Sequence, residues 1–113
     1  MPTSGVLSSA TAELTLALTL ATTRKLFEAH NQIVSNAWSK CAWSPFWMCS
    51  SGLVGATVGI VGLGRIGLAI AKRLIPFEVG KILYTGHHPK GEGNAHTPKE
   101  CHHVFNIDIF TLI

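Results

Sequence analysis

One stretch decides the fold of this sequence: residues 57–67, which read Thr57-Val58-Gly59-Ile60-Val61-Gly62-Leu63-Gly64-Arg65-Ile66-Gly67. Residues 57–61 are mostly apolar and β-branched, a pattern typical of a strand covered on both faces of a parallel sheet. The residues that follow fit the pattern G-x-G-x-x-G. The stretch therefore predicts a buried strand that ends in a glycine-rich turn.

The residues after this turn predict a helix and a second strand. Apolar side chains recur at helical spacing at Ile66, Ile70 and Leu74, and Pro76 stops the helix. Residues 81–85 then predict a strand. Strand, helix and strand within about thirty residues form one βαβ unit. We therefore predict an α/β fold, with a partial Rossmann-type domain that a long helix precedes.

The glycine turn predicts a dinucleotide-binding site. Gly62 allows the sharp turn, Gly64 lets a pyrophosphate approach the backbone, and Gly67 lets the helix lie close to the strand. The amides at the start of the helix then face the anion. The alternative is a glycine turn with a structural role only.

The residues about twenty positions further on bear on the choice of cofactor. A site for NAD usually carries an acidic residue there, which binds the ribose 2′-hydroxyl. Residues 85–88 contain no Asp or Glu, whereas His87, His88 and the cation Lys90 favour a 2′-phosphate. We therefore predict NADP(H) in preference to NAD(H). The alternative is a solvated turn, because histidine is mostly neutral at pH 7.

The N-terminal part predicts one long helix from Thr11 to Phe27. Leu, Ala, Glu, Arg and Lys favour a helix over a strand in this stretch. Thr11 is the predicted N-cap, with Glu13 near the start and Arg24 and Lys25 near the end, as the helix dipole prefers. Because the helix is apolar on most sides, we expect it to be buried.

Residues 31–53 contain all three tryptophans, Trp38, Trp43 and Trp47. They show no clear period and predict a tightly packed loop. Its side chains either fill the core or an interface, or line a ligand site or subunit contact.

The predicted organisation is thus a helix in residues 1–30, this connection in 31–53, the dinucleotide-binding part in 54–90 and a divergent tail in 91–113.

Composition excludes several classes of protein. The 113 residues are 47% hydrophobic and 13% charged, with mean hydropathy +0.32, which argues for a folded single domain. A net charge of +3 is too small and too scattered for a nucleic-acid surface. The apolar run from Leu14 to Ala21 is too short to span a membrane.

The cysteines and the position of the first positive charge indicate the cellular compartment of the protein. Cys41, Cys49 and Cys101 are an odd set without metal-type spacing, so we expect free thiols. No cation precedes Arg24, whereas a secretory signal would begin with positive charge. These features predict an intracellular, cytoplasmic protein.

The tail allows two interpretations. Ile107 and Ile109 alternate around Asp108 and suggest a short third strand. A metal site is the alternative interpretation of the tail, since its histidine and cysteine side chains supply the ligand types that zinc prefers. Those residues are His96, Cys101, His102 and His103.

Several of these segments together resemble the D-isomer-specific 2-hydroxyacid dehydrogenases, most closely their glyoxylate- and hydroxypyruvate-reducing members. The likeness is carried by Ala12-Glu13-Leu14 with the helix that follows, by the Trp-rich connection, by residues 57–67, and by residues 83–86 with Pro89 and Lys90. We expect it to extend from Thr3 to Lys90 and to stop there.

The resemblance implies a role for each matching position. Gly64, Arg65 and Ile66 would contact the cofactor phosphates, and His87, His88, Pro89 and Lys90 would surround the 2′-phosphate, with His87 where the family has an arginine. The long helix would lie between domains, and the tryptophans would lie near the subunit interface of a dimer. The implied activity is NADPH-dependent reduction of glyoxylate or hydroxypyruvate.

The sequence also departs from that family. The arginine, glutamate and histidine that bind substrate and move the proton have no counterpart here, and we expect Met1 to fall near the join that follows the substrate-binding half. His30 and His87 are poor substitutes for the catalytic acid. We therefore predict no catalytic residue in this chain. A noncatalytic fragment that docks on a full-length homologous subunit is the alternative function.

Overall fold

The computed structural model of the protein describes residues 4–86, 98–99 and 101–104. The chain divides into two compact units. Residues 1–16 and 53–113 form the first, called the sheet unit below. Residues 17–52 form the second, called the tryptophan unit.

The described residues form helices and parallel strands in the order predicted for a βαβ fold. The helices are α1 (Ser4–Thr23), α2 (Leu26–Val34) and α3 (Arg65–Leu74), and the strands are β1 (Thr57–Val61), β2 (Lys81–Thr85) and β3 (Cys101–His103). Short 3₁₀ turns cover Trp38–Lys40 and Ile75–Phe77. The sequence predicted β1, β2 and the end of α3 correctly, and the α/β class is confirmed.

The three strands form one parallel sheet in the order β1-β2-β3. The register places Ile60 opposite Tyr84, and Tyr84 opposite His103. The sequence did not predict β3, because Cys-His-His lacks the β-branched residues that mark strands. The strand predicted around Ile107 and Ile109 lies outside the described residues.

The core of the described residues lies entirely in the sheet unit. Its buried apolar side chains come from α1, the loop before β1, the sheet and α3: Ala12, Leu53, Ile60, Leu63, Ala71, Leu74, Ile82 and Tyr84. Ile82 is completely buried and Tyr84 nearly so, since β2 has a neighbouring strand on each side. The core therefore centres on β2 and α3.

Strand β1 is less covered than its sequence predicts. Ile60 is buried, but Thr57 and Gly59 are exposed and Val61 is 71% exposed. The prediction that both faces of this strand are covered is therefore wrong for the described residues. The physical reason is that residues 57, 59 and 61 alternate with Ile60, so they lie on the face of the sheet opposite the one that faces α3.

Helix α1 differs from the predicted helix in its limits and its burial. It starts at Ser4, so Thr11 is not an N-cap, and the Thr11 hydroxyl donates to the Leu7 carbonyl within the helix at 2.8 Å. It ends at Thr23, and Lys25 has a left-handed backbone (φ 53°) before α2 begins. No described helix has the length and apolarity needed to span a membrane.

The apolar faces of α1 are mostly exposed. Ala12 is fully buried, yet Leu14 is 61% exposed and Leu7 is similarly open. The expected burial of this helix is therefore wrong for the described chain. Composition alone predicted burial, but Ala12 is the one buried side chain among those described in α1, and the contacts with α3 lie along the same side of the helix.

An arginine links this narrow face of α1 to α3. The Arg73 guanidinium donates to the Ser9 hydroxyl at 2.7 Å and to the Ala69 carbonyl at 3.1 Å, and it lies 3.6 Å from the Glu13 carboxylate. Ser9, Ala12 and Glu13 are spaced three and four residues apart and so share one side of α1. This side holds the buried Ala12 and faces α3.

Residues 31–53 are not the tightly packed loop that the sequence predicts. They include the end of α2 and a 3₁₀ turn, and Leu53 is the one side chain among them that is buried. The rings of Trp38 and Trp47 meet edge to face, with centroids 4.7 Å apart, but Trp43 is 88% exposed. Without a strand or a long helix beside them, these aromatic side chains cover little of one another's surface.

Candidate dinucleotide-binding site

The glycine turn begins where β1 ends. Gly62 has a left-handed backbone (φ 89°), which a residue with a side chain adopts only with strain. Its amide donates to the Thr85 carbonyl at 2.9 Å, which fastens the turn to the carboxyl end of β2. The carboxyl ends of these two parallel strands therefore form one continuous edge.

Gly67 lets α3 lie against this turn. A Cβ atom at this position would collide with the carbonyl oxygen of Gly62 and would lie 3.3 Å from the Ile60 Cγ2 atom. Because the first of these neighbours is backbone, it cannot move aside at small cost. The close approach of helix and turn therefore requires glycine at position 67.

Gly64 precedes the first residue of α3 and faces open space. A Cβ atom here would meet no atom within 4 Å. The backbone is extended (φ −78°, ψ −165°), so glycine is not required by its conformation. The absence of a side chain is instead useful to a ligand that approaches the backbone at this point.

The start of α3 suits an anion. The first amides of an α-helix have no carbonyl partner within the helix, and the helix dipole is positive at this end. The first turn contains no acidic residue, and it begins with Arg65. Ile66 is partly exposed beside it. The turn and the helix together can hold the phosphates of a dinucleotide.

Two further residues, Leu63 and Thr85, complete the turn. Leu63, between two glycines of the motif, is almost fully buried and anchors the turn to the core. Thr85 accepts the hydrogen bond from Gly62. An apolar residue between two glycines was the available signal for Leu63, whereas the role of Thr85 depends on strand register.

The predicted ribose-binding residues follow the end of β2. The described chain continues β2 through Thr85 to Gly86 and has no carboxylate there. His87, His88, Pro89 and Lys90 lie outside the described residues. Their role at a 2′-phosphate stays a prediction.

The alternative metal site in the tail is not assembled by the described residues. Successive side chains of a strand point to opposite faces, so His102 does not share a face with Cys101 and His103. His96 lies outside the described residues. Within the described ranges, no three His, Cys, Asp or Glu side chains form a group that could hold a metal ion.

The tryptophan unit has a shallow groove of about 480 Å³. Aromatic and small residues line it: Trp38, Cys41, Ala42, Trp43, Ser44, Pro45 and Trp47. In the described ranges, the three cysteines form no disulfide, and Cys41 and Cys49 are exposed. The groove offers apolar surface without a cluster of polar groups that would select a small ligand.

Comparisons with known proteins agree with this geometry. A sequence model of the D-isomer-specific 2-hydroxyacid dehydrogenase NAD-binding domain matches residues 16–110. A mouse glyoxylate reductase/hydroxypyruvate reductase is 55% identical over 93 residues, which cover 82% of this chain and 28% of the relative. The chain thus spans less than a third of the length of this relative.

Solved structures give the same result. A Thermus thermophilus protein superposes with a TM-score of 0.71 at 42% identity, covering 80% of this chain and 28% of its own. An NADPH-dependent glyoxylate/hydroxypyruvate reductase from Sinorhizobium meliloti superposes with a TM-score of 0.64 at 39% identity, covering 86% and 28%. These matches confirm the Rossmann-type architecture.

The comparisons also correct one expectation. The family resemblance was expected to end at Lys90, but the family match continues to residue 110. In the structure β3 lies within this added stretch and pairs with β2 in parallel. The family pattern here was missed because Cys101, His102 and His103 do not look like a strand in sequence.

Proposed function

The chain belongs to the D-isomer-specific 2-hydroxyacid dehydrogenase family, and from this premise we propose that it is the NADP(H)-binding portion of a glyoxylate- or hydroxypyruvate-reducing enzyme. We further propose that this portion is not catalytic by itself. The observation that carries the proposal is the strand-turn-helix geometry at residues 57–74, where Gly64 is open to solvent and Gly67 is packed against the turn.

Each part of the turn has a proposed task. Gly62, Gly64 and Gly67 shape the backbone around the pyrophosphate, and Arg65 and Ile66 border it from the first turn of α3. His87, His88, Pro89 and Lys90 surround the 2′-phosphate. When bound, the nicotinamide supplies the hydride, while the residues of this chain hold and orient the phosphates and the ribose.

Two observations support NADP(H) over NAD(H). Residues 85–88 lack the carboxylate that would accept a hydrogen bond from a ribose 2′-hydroxyl and repel a 2′-phosphate. The Sinorhizobium meliloti relative is an NADPH-dependent enzyme. In addition, Lys90 and the histidines His87 and His88 complement the extra phosphate charge.

The proposed lack of catalysis follows from a requirement of the reaction, because reduction of a carbonyl needs a group that donates a proton. A general acid must protonate the developing alkoxide, and a histidine paired with a carboxylate is the usual form. Among the described residues, the Glu13 carboxylate lies 3.6 Å from the Arg73 guanidinium. His30 is an exposed residue of α2.

A titration with a matched pair of glycine variants tests the binding site. The full chain is titrated with NADPH and separately with NADH by fluorescence, and circular dichroism of each sample reports folding. We expect tighter binding of NADPH. Gly64→Ala should stay folded, because its methyl group meets no protein atom, but should weaken both dinucleotides at least about tenfold by filling the space above the turn.

The control is Gly52→Ala, which also adds a methyl group in open space but lies outside the turn. It should bind both dinucleotides as the unchanged chain does. Binding of neither dinucleotide by a folded chain would overturn the proposal. Equal or tighter binding of NADH would overturn the NADP(H) preference alone, and turnover of glyoxylate would overturn the noncatalytic role.

A second candidate function is docking on a full-length homologous subunit. The exposed apolar side chains of α1 favour it, since Leu7 and Leu14 are seven residues apart and so lie on one side of the helix. Copurification with a full-length relative would support docking. A folded monomer that does not change its elution volume when mixed with that relative would contradict it.

A further inference from the structure

The tryptophan unit holds two indole rings at a right angle. Trp38 begins a 3₁₀ turn, which the Cys41 amide closes by donating to the Trp38 carbonyl at 3.2 Å. Trp47 belongs to a second turn, in which its amide donates to the Ser44 carbonyl at 3.1 Å. The planes of the two rings are 85° apart, and their centroids are separated by 4.7 Å. The rings therefore form two walls of a corner.

This corner belongs to the groove of about 480 Å³, and its ring faces are accessible. Trp38 is half exposed, Trp47 is partly exposed and Trp43, which lines the same groove, is 88% exposed. The face of an aromatic ring carries partial negative charge. The seven lining residues, all of them described, include no Lys, Arg, Asp or Glu. No cation of the lining therefore occupies these faces.

The groove suits a cation that has no N–H group. A primary ammonium is strongly hydrated and carries N–H donors, so it leaves water readily only where acceptors replace its hydration shell. The lining offers no carboxylate for this purpose. A quaternary ammonium has no N–H donor, and its charge lies under methyl groups that contact aromatic faces favourably. Selection in this groove thus comes from ring faces and not from polar groups.

We propose that this groove binds a trimethylammonium group, with Trp38 and Trp47 as two walls and Trp43 beside them. The ligand class is a small soluble quaternary ammonium compound, because the volume of the groove lies in the range of small-molecule sites. The inference concerns the tryptophan unit alone. It does not depend on the proposed dinucleotide site, which is tested by a separate titration.

The test compares two ligands that have the same shape and differ in charge. The full chain is titrated with choline chloride and, separately, with the neutral alcohol in which a tert-butyl group replaces the trimethylammonium group. Proton NMR follows the methyl signals, which move upfield when the methyl groups lie over ring faces. Sodium chloride at matched concentration controls for ionic strength. Choline should bind at least about fivefold more tightly than the neutral alcohol.

Ring substitutions locate the site. Trp38→Leu and Trp47→Leu each keep an apolar side chain but remove a wall, so each should lower the preference for choline to about twofold or less. Trp47→Phe restores a ring face and should recover a preference for choline. Phe46→Leu is the matched control, because Phe46 is an 82% exposed aromatic residue near Trp47 that does not line the groove. It should leave both affinities unchanged.

Three results would overturn the inference. Equal binding of choline and the neutral alcohol by the unchanged chain would show a purely apolar groove. Tighter binding of a decaproline peptide than of choline would show a peptide-docking groove. No upfield shift of the choline signal, or binding to phosphatidylcholine vesicles without binding to choline, would show that the groove is not a site for a small cation. The comparison of the two ligands needs no variant, so it decides the inference even if a tryptophan variant fails to fold.

Discussion

The sheet unit and the tryptophan unit are both rich in apolar residues, yet only the sheet unit has a core. Every buried apolar side chain of the described residues belongs to the sheet unit. The tryptophan unit instead exposes its large apolar side chains, including Trp43 and Phe46. The difference shows that apolar composition predicts a core only where strands or helices present it on a common face.

Hydrogen bonding explains part of this contrast. In the sheet unit, β2 is paired along both edges, and the loops at its ends are fastened by backbone bonds such as Gly62 to Thr85. In the tryptophan unit, residues 35–52 form turns with short-range bonds, for example Lys40 to Ala37. Local turns satisfy backbone groups without bringing distant side chains together.

A pair of alanine substitutions should show the contrast most strongly. Ile82→Ala removes a completely buried side chain of β2 and should lower the free energy of unfolding by about 3 kcal/mol. Trp43→Ala removes a larger side chain that is 88% exposed and should change it by about 0.5 kcal/mol or less. Urea denaturation followed by circular dichroism measures both.

Equal losses for the two variants would break the comparison, because they would show that Trp43 is packed in solution. A small loss for Ile82→Ala would show that the sheet is not the centre of stability. Since a chain of this length has little stability to spare, Ile82→Ala is expected to be substantially unfolded at 37 °C.

The sequence could predict the βαβ unit because each of its elements has a local signature. Residues 57–61 are mostly apolar and β-branched, residues 82–84 are an apolar run, the glycines mark the turn, and Pro76 marks the helix end. The glycine roles at Gly62 and Gly67 followed from the same motif and agree with the positive φ and the close approach in the structure.

Features that depend on long-range pairing could not be predicted in this way. β3 has no strand-like residues, and its position is fixed by pairing with β2. The exposure of Val61 depends on what covers the face of the sheet opposite α3, and the exposure of Leu14 depends on what packs against α1. For the same reason, the sequence indicates His103 only as a candidate metal ligand. Its contact with the Gly86 carbonyl depends on strand pairing and could not be predicted.

A smaller effect is expected at the contact between α1 and α3 within the sheet unit. Arg73→Ala removes the hydrogen bonds to Ser9 and Ala69 and should lower the free energy of unfolding by about 1 kcal/mol. Glu13→Gln removes only an exposed ion pair at 3.6 Å and should cost about 0.5 kcal/mol or less. Matching losses in the two variants would mean that charge, and not the Ser9 hydrogen bond, joins the helices.

The smallest effect is expected where the tryptophan unit has its best-defined contact, the edge-to-face pair of Trp38 and Trp47. Trp38 is half exposed, so Trp38→Leu loses the ring pair but little buried surface, and the free energy of unfolding should fall by about 0.5 kcal/mol. The measurement is the urea midpoint followed by circular dichroism. This signal is used in place of fluorescence, because removing a tryptophan changes the fluorescence directly. Trp43→Leu is the matched control, since it makes the same chemical change at a more exposed ring and should leave the midpoint unchanged.

A loss above about 2 kcal/mol in the free energy of unfolding for Trp38→Leu would show that the tryptophan unit has a core of its own. The two units would then differ only in how large their cores are.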